Sequence, residues 1–243
     1  MNKMKLFCFP YAGGSSDVYR NWKKYLDPSI ELYPVELSGR GRRMSEPLYE
    51  NMQELIEDVF RKIEPELKNS TYAFFGHSLG SMVVFELARK LLQDNIQLPE
   101  VLFVSGRKAP HLKRKPDEKL THILNEEEFI EEIMKLGGTP KELLEHKELL
   151  DLFLPVIRKD YKIAEQYVFN DKNVQFNSDL VVLYGTKDEA TYEEMLEWKA
   201  YSSRDCNFYS FEDGHFFINS YTQQIVDLIN NKLKVKSQHT FTL

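Results

Sequence analysis

Residues 71 to 92 read Thr71-Tyr72-Ala73-Phe74-Phe75-Gly76-His77-Ser78-Leu79-Gly80-Ser81-Met82-Val83-Val84-Phe85-Glu86-Leu87-Ala88-Arg89-Lys90-Leu91-Leu92. The apolar run at 71–75 predicts a strand, and 82–92 predicts a helix that is apolar on most sides and therefore buried. A serine with glycines two residues before and after it, at a strand-to-helix junction, predicts a sharp turn that raises its hydroxyl above the sheet. Cβ atoms at positions 76 and 80 would collide with neighbouring backbone, and Gly76 and Gly80 supply the clearance. The helix N-terminus adds a positive dipole end and free N–H groups beside the serine. Ser78 is therefore the candidate nucleophile. Leu79 N–H is the candidate first donor to a developing oxyanion.

The same strand-helix alternation runs outward in both directions. Residues 5–9, 30–37, 101–104, 180–184 and 207–211 predict strands, and 101–104 and 180–184 are continuously apolar, as for strands covered on both faces. Met52, Leu55, Ile56, Val59, Phe60, Ile63 and Leu67 recur at three- and four-residue spacing and predict a helix. A closing helix is predicted over 217–233, with a frayed polar tail after it. This order means an α/β fold with a mostly parallel central sheet and helices on both faces. Residues 108–169 break the rhythm with helical patterns only, at 127–136 and 143–157. We expect a helical lid at 108–169, set into a core formed by 1–107 and 170–243; a crossover helix pair on the sheet edge is the alternative.

Composition narrows the classes further. The 243 residues are 42% apolar and 29% charged, enough for a sizeable core. A net charge of −6 gives no footprint for nucleic acid. No apolar run reaches the roughly 18 residues needed to span a bilayer, and the first residues are too weakly apolar for a signal peptide. Cys8 and Cys206 read as two buried thiols in a reducing compartment. The expectation is a cytoplasmic monomer.

A serine hydroxyl needs a base, and the base needs an orienting carboxylate. In this fold the chain order is Ser, then Asp or Glu, then His. Of six histidines, His77 lies inside the turn and is expected to point away from the reaction. His111, His122 and His146 fall in the inserted segment and His239 in the tail. His215, in the loop after the strand at 207–211, remains as the base. The carboxylate should follow the preceding strand, which selects Asp188, with Glu189 as fallback. Asp213 is too close along the chain to reach the ring easily. A second oxyanion donor should come from Pro10-Tyr11-Ala12-Gly13-Gly14, through the N–H of Ala12 or Tyr11.

Several segments together carry a family resemblance: Phe9-Pro10-Tyr11-Ala12-Gly13-Gly14-Ser15, Gly39-Arg40-Gly41-Arg42-Arg43, Phe75-Gly76-His77-Ser78-Leu79-Gly80, Ser105-Gly106-Arg107-Lys108-Ala109-Pro110-His111, Leu136-Gly137-Gly138-Thr139-Pro140 with Leu154-Pro155, and Asp213-Gly214-His215-Phe216-Phe217. The sequence resembles the type II thioesterases, α/β hydrolases that edit nonribosomal peptide and polyketide synthesis. Ser38 stands where that family more usually has proline. The resemblance implies hydrolysis of acyl groups from the phosphopantetheine thiol of a carrier protein. It implies Ser78 as nucleophile, His215 as base, Asp188 as orienting acid, and the N–H groups of Ala12 and Leu79 as the oxyanion hole. A thioester carbonyl is already activated, so neither metal nor organic cofactor is called for.

Carrier proteins are generally acidic, so docking on a net-acidic chain needs a local basic patch. Arg107, Lys108, Lys113, Arg114 and Lys115 are the candidates, with Arg40, Arg42 and Arg43 as a second group. Three rival readings remain: a fatty acyl-carrier thioesterase, a general carboxylesterase, and a hydrolase-fold binding module without activity.

Overall fold

The computed structural model describes residues 3–114, 118–138, 147–169 and 174–239. Its six strands are β1 (Met4–Phe9), β2 (Ile30–Pro34), β3 (Tyr72–His77), β4 (Val101–Ser105), β5 (Asp179–Gly185) and β6 (Cys206–Phe211). They form one sheet in the order β2-β1-β3-β4-β5-β6, and all five neighbouring pairs are parallel. Alternate side chains explain why these runs are apolar throughout. Phe7, Phe9, Phe74, Leu180 and Val182 enter the core on one face, and Leu6, Cys8, Phe75, Val181 and Leu183 the core on the other.

Helices α1 (Met52–Leu67) and α2 (Leu79–Gln93) cover the first face through Leu55, Val59, Ile63, Val83, Leu87 and Leu91. The second face is covered by the 3₁₀ segment Ser16–Lys24, through Tyr19 and Trp22, and by the closing helix. The chain steps from β1 outward to β2 and returns to β3 on the other side of β1. That reversal opens a crevice at the C-terminal ends of β1 and β3, the usual ligand position in such sheets. The loop 10–14 and the turn at Ser78 flank it.

Between β4 and β5 the described residues contain no strand of the sheet, but they include α3 (Glu126–Lys135) and α4 (Lys147–Gln166). These two share a small core of their own, Phe129, Ile133, Leu154 and Ile157. The second helix runs nine residues past the end expected from its apolar pattern, because Asp160 and Ile163 are also buried. A short helix α5 (Tyr192–Leu196) precedes β6, and α6 (Phe217–Ser220) and α7 (Thr222–His239) close the chain. The backbone of α7 stays helical through His239, where a frayed tail was expected from residue 234. Cys8 is buried but Cys206 only half-buried, and both thiols are free. The reading of two buried thiols therefore holds for one.

Candidate active site

The turn between β3 and α2 has the geometry its glycines imply. Ser78 adopts φ 53° and ψ −112°, a conformation that costs a non-glycine residue about 1–3 kcal/mol and persists only where its surroundings impose it. A Cβ on Gly76 would lie 2.0 Å from Gly80 O, and one on Gly80 would lie 2.1 Å from Phe9 O. Neighbouring contacts lock the strained residue. Ser78 N–H donates to Ser105 O at 2.8 Å. The buried Ser81 hydroxyl donates to Gly76 O at 2.8 Å and Ser105 O at 2.9 Å, and accepts Ser105 N–H at 2.9 Å.

The loops after β5 and β6 bring an acid to a base. His215 Nδ1 lies 2.8 Å from Asp188 Oδ2, with side-chain exposures of 14% and 4%, so water competes little for the carboxylate. The other oxygen, Asp188 Oδ1, accepts Glu189 N–H at 2.7 Å, which leaves Glu189 itself turned to solvent. Backbone bonds from Thr186 N–H to Phe211 O (2.8 Å) and from Lys187 N–H to Asp213 O (2.9 Å) tie the two loops together. Gly185 permits that approach, since a Cβ there would meet Asp213 O and Gly214 O at 2.5 Å. Asp213 is engaged elsewhere: bonds from the Ser220 side chain and from Gly214 N–H hold its carboxyl below the ordinary carboxylate range.

Ser78 Oγ and His215 are not hydrogen-bonded to each other among the described contacts. Such bonds commonly tighten only once substrate is bound.

His77 is buried in the sheet interior, in line with the expectation that it turns away from the outward-facing serine. Its neighbour could not be read from the sequence: its ring centroid lies 5.1 Å from that of His215, with Tyr11, Phe216 and Phe217 around it. Its Nδ1 pairs with Ser105 Oγ at 2.8 Å, and Nε2 is buried near the His215 backbone. Burial, reinforced by the charge repulsion of His215, pushes its pKa well below the ordinary imidazole value. A neutral ring thus underlies the base. An imidazole at position 77 follows β3 into the sheet interior, because the serine after it takes the outward direction.

In the loop after β1, Gly14 N–H donates to Tyr11 O at 2.9 Å, closing a turn with Gly13 at φ +76°. Gly13 N–H donates to Asp160 Oδ2 at 2.8 Å. Neither Ala12 N–H nor Leu79 N–H meets an acceptor among the described residues. Two unpaired amides therefore stand on the two loops that flank the crevice, an arrangement able to receive an oxyanion.

The basic candidates fare unevenly. Lys108 lies 3.7 Å from Glu194, and Arg114 pairs with Glu118 at 3.2 Å and Glu165 at 3.6 Å. Arg107 donates to Ala164 O at 3.4 Å and has no salt bridge among the described residues; Lys113 is exposed. These four line a cavity of about 320 Å³ with Met82, Phe169 and Trp198. Lys115 lies outside the described residues, as do Thr139, Pro140 and His146.

Of the second basic group, Arg40 is buried on Asp160, and Arg43 is buried against Glu46, Asp58 and Tyr49. Only Arg42 faces water. His111 is held by Tyr201 and Glu197, and His122 by Glu165. Ser38, in place of proline, uses both its polar groups: its N–H donates to Tyr49 Oη at 3.0 Å, and its hydroxyl to Pro47 O.

Sequence reasoning missed Asp160. The available signal was an acid on the apolar stripe Ile157, Asp160, Ile163, which demands a buried cation.

Comparison with known proteins follows the same line. The family described as "Thioesterase domain" matches residues 4–233. Thioesterase PikA5 of Streptomyces venezuelae is 39% identical over 233 residues, covering 96% of this chain and 82% of the relative. The medium-chain S-acyl fatty acid synthase thioesterase of Homo sapiens is 33% identical over 220 residues, covering 88% and 80%. The crystal structure of ClbQ, from the colibactin NRPS/PKS pathway, superposes with a TM-score of 0.90 at 35% identity, covering 96% of this chain and 98% of that one.

Proposed function

The chain belongs to the thioesterase family of α/β hydrolases, and on that footing we propose that it is a type II, editing enzyme which releases acyl groups from the phosphopantetheine thiol of carrier proteins in nonribosomal peptide or polyketide synthesis. On the same proposal it acts as a cytoplasmic monomer. Among the described residues no helix is long and apolar enough to cross a membrane. The observation that carries the catalytic reading is the 2.8 Å contact of His215 Nδ1 with Asp188 at the C-terminal ends of the strands, where the strained Ser78 also stands. His215 takes the Ser78 proton as Oγ attacks the thioester carbonyl. Charge then develops on the carbonyl oxygen between Ala12 N–H and Leu79 N–H, each worth about 3 kcal/mol by mutational precedent. The thiol departs with that proton, leaving an acyl-serine. A water deprotonated by His215 then frees the acid. Asp188 holds the ring in the tautomer with Nε2 free to accept, and stabilises the imidazolium.

Residues 108–169 act as the lid over this centre. Two contacts support that reading. A Cβ on Gly13 would meet Ile157 Cγ1 at 2.6 Å, and one on Gly138 would meet Phe216 Cζ at 1.9 Å. The insertion therefore rests on both the oxyanion loop and the residue after His215. For the carrier we propose the edge formed by Arg107, Lys108, Lys113 and Arg114, where Lys113 is exposed and has no salt bridge among the described residues.

The test compares acyl release from loaded carrier protein with release of the same acyl groups from free pantetheine, for wild type and Ser78→Ala. Faster, Ser78-dependent release from the carrier is expected. Equal rates on both would remove the carrier as partner, and a marked preference for simple oxygen esters would favour a carboxylesterase. A range of acyl lengths decides between editing and a medium-chain activity like that named for the human relative.

A further inference from the structure

The motif Gly39-Arg40-Gly41-Arg42-Arg43 takes no part in the chemistry above, yet one of its arginines reaches the site from within. Arg40 and Asp160 each have side chains 2% exposed. They pair two-pronged, Nη1 to Oδ2 at 2.5 Å and Nη2 to Oδ1 at 2.9 Å. The same Oδ2 accepts Gly13 N–H at 2.8 Å. Arg40 also donates through Nε to Ser38 O at 3.2 Å and through Nη1 to Gly14 O at 3.4 Å. Three segments remote in sequence thus converge on one carboxylate: the loop after β1, the loop after β2, and α4.

We propose that Asp160, held by Arg40, is a positioning residue that fixes the oxyanion loop, so that Ala12 N–H is aimed at the reacting carbonyl only while α4 is seated. The proposal rests on the reading of Ala12 N–H as an oxyanion donor. A loop with two consecutive glycines has wide conformational freedom unless something pins it. The amide next along the chain from Ala12 is pinned here by a charge-assisted bond, stronger than a bond to a neutral acceptor. Ile157, one turn before Asp160 on α4, lies directly against Gly13, so the helix presses on the loop that its carboxylate holds. Stability does not account for such a pair. Replacing a buried ion pair by apolar residues of similar volume is often neutral or stabilising, whereas only a fixed acceptor can orient the loop.

The experiment measures kcat and KM on an acyl-pantetheine, per active serine titrated to its end point with a fluorophosphonate, alongside thermal melting. The panel is wild type, Arg40→Lys, the double variant Arg40→Met/Asp160→Leu, and a protein in which the Ala12 amide is replaced by an ester to delete its N–H. The double variant is expected to melt somewhat below wild type, because Gly13 N–H, Ser38 O and Gly14 O lose their partners, and to keep KM within about twofold, while kcat per titrated site falls roughly 10- to 100-fold, as for a reacting group misplaced by about 1 Å. Arg40→Lys keeps the charge without the fork and should fall between. The ester protein should lose about 100-fold or more. A merely structural pair would change melting and the titratable fraction but leave kcat per site alone. Wild-type kcat in the double variant, with the ester protein impaired, overturns the clamp and leaves the Ala12 reading standing. Wild-type kcat in the ester protein overturns both.

Discussion

Gly80→Ala is the sharpest test of how the nucleophile turn and the oxyanion loop depend on each other. The added methyl would sit 2.1 Å from Phe9 O, 2.9 Å from Phe9 C and 3.0 Å from Pro10 O, all backbone atoms. Ordinary Cβ contact begins at 3.4 Å, so relief needs a separation of 1.3 Å between the end of β1 and the start of α2. The strand end cannot yield easily, because Phe9 O also accepts the buried Tyr19 hydroxyl at 2.6 Å. The start of α2 must move instead, and it carries Leu79 N–H away from Ala12 N–H. Overpacking of this kind costs about 1–3 kcal/mol, a melting shift of about 3–10 °C for a domain of this size. Misplacement by about 1 Å costs on the order of 100-fold in rate. The assay is thioester hydrolysis per titrated serine, beside thermal melting. Gly214→Ala is the control: it adjoins His215, but a Cβ there meets nothing within 4 Å, so it should stay within about threefold of wild type. A Gly80→Ala enzyme with wild-type kcat/KM and unchanged melting would refute the claim that the two loops are in backbone contact.

Three further outcomes follow from other contacts. Asp188→Asn should lower kcat by about 10⁴-fold, the precedent for a wrongly oriented imidazole, while Glu189→Gln stays near wild type because its side chain faces water; the reverse pattern would transfer the role to Glu189. His77 is held neutral in the fold, with its pKa well below the 6.5 it regains on unfolding. Below that pH the unfolded chain binds an extra proton, so stability is full above pH 6.5 and falls as pH drops, by up to about 1.4 kcal/mol per unit. Urea unfolding between pH 7 and pH 5 should show a steeper loss in wild type than in His77→Gln, and equal slopes would show that His77 is not buried neutral. Lys113→Glu should slow release from carrier protein more at low than at high salt and leave free acyl-pantetheine untouched; an equal effect on both substrates would move the docking edge elsewhere.

Much of the fold was legible because a parallel sheet covered on both faces writes itself as short uninterrupted apolar runs. Val101–Ser105 and Asp179–Gly185 were readable for that reason. Element ends were less so. The strand expected to run to residue 37 stops at Pro34, whereas α2 begins at Leu79, where the turn motif puts its start. That Asp188 and His215 meet on the loops after β5 and β6 was legible, since each candidate follows a strand within a few positions and chain order limits the choice. The packing of His77 against His215 was not legible, because sequence shows that His77 turns inward beside an outward-facing serine but not which ring it meets there.

The arginine-rich loop was misread for a deeper reason. Exposed and buried arginines look alike in composition, and the partner that decides between them lies 120 positions away for Arg40. The helix carrying that partner was the part of the chain least constrained by the strand rhythm, and its last turns were read as loop. Yet Asp160 has no carboxylate-exposing alternative that keeps Ile157 and Ile163 buried, because all three occupy one stripe of α4. Once that stripe faces the sheet, the acid must meet a cation at the C-terminal ends of β1 and β2, and Arg40 is the cation there. On the proposed reading the insertion does more than roof the crevice: its contacts with Gly13 and Phe216, and the pairing of Asp160 with Arg40 and Gly13 N–H, would make its seating a condition for the geometry beneath.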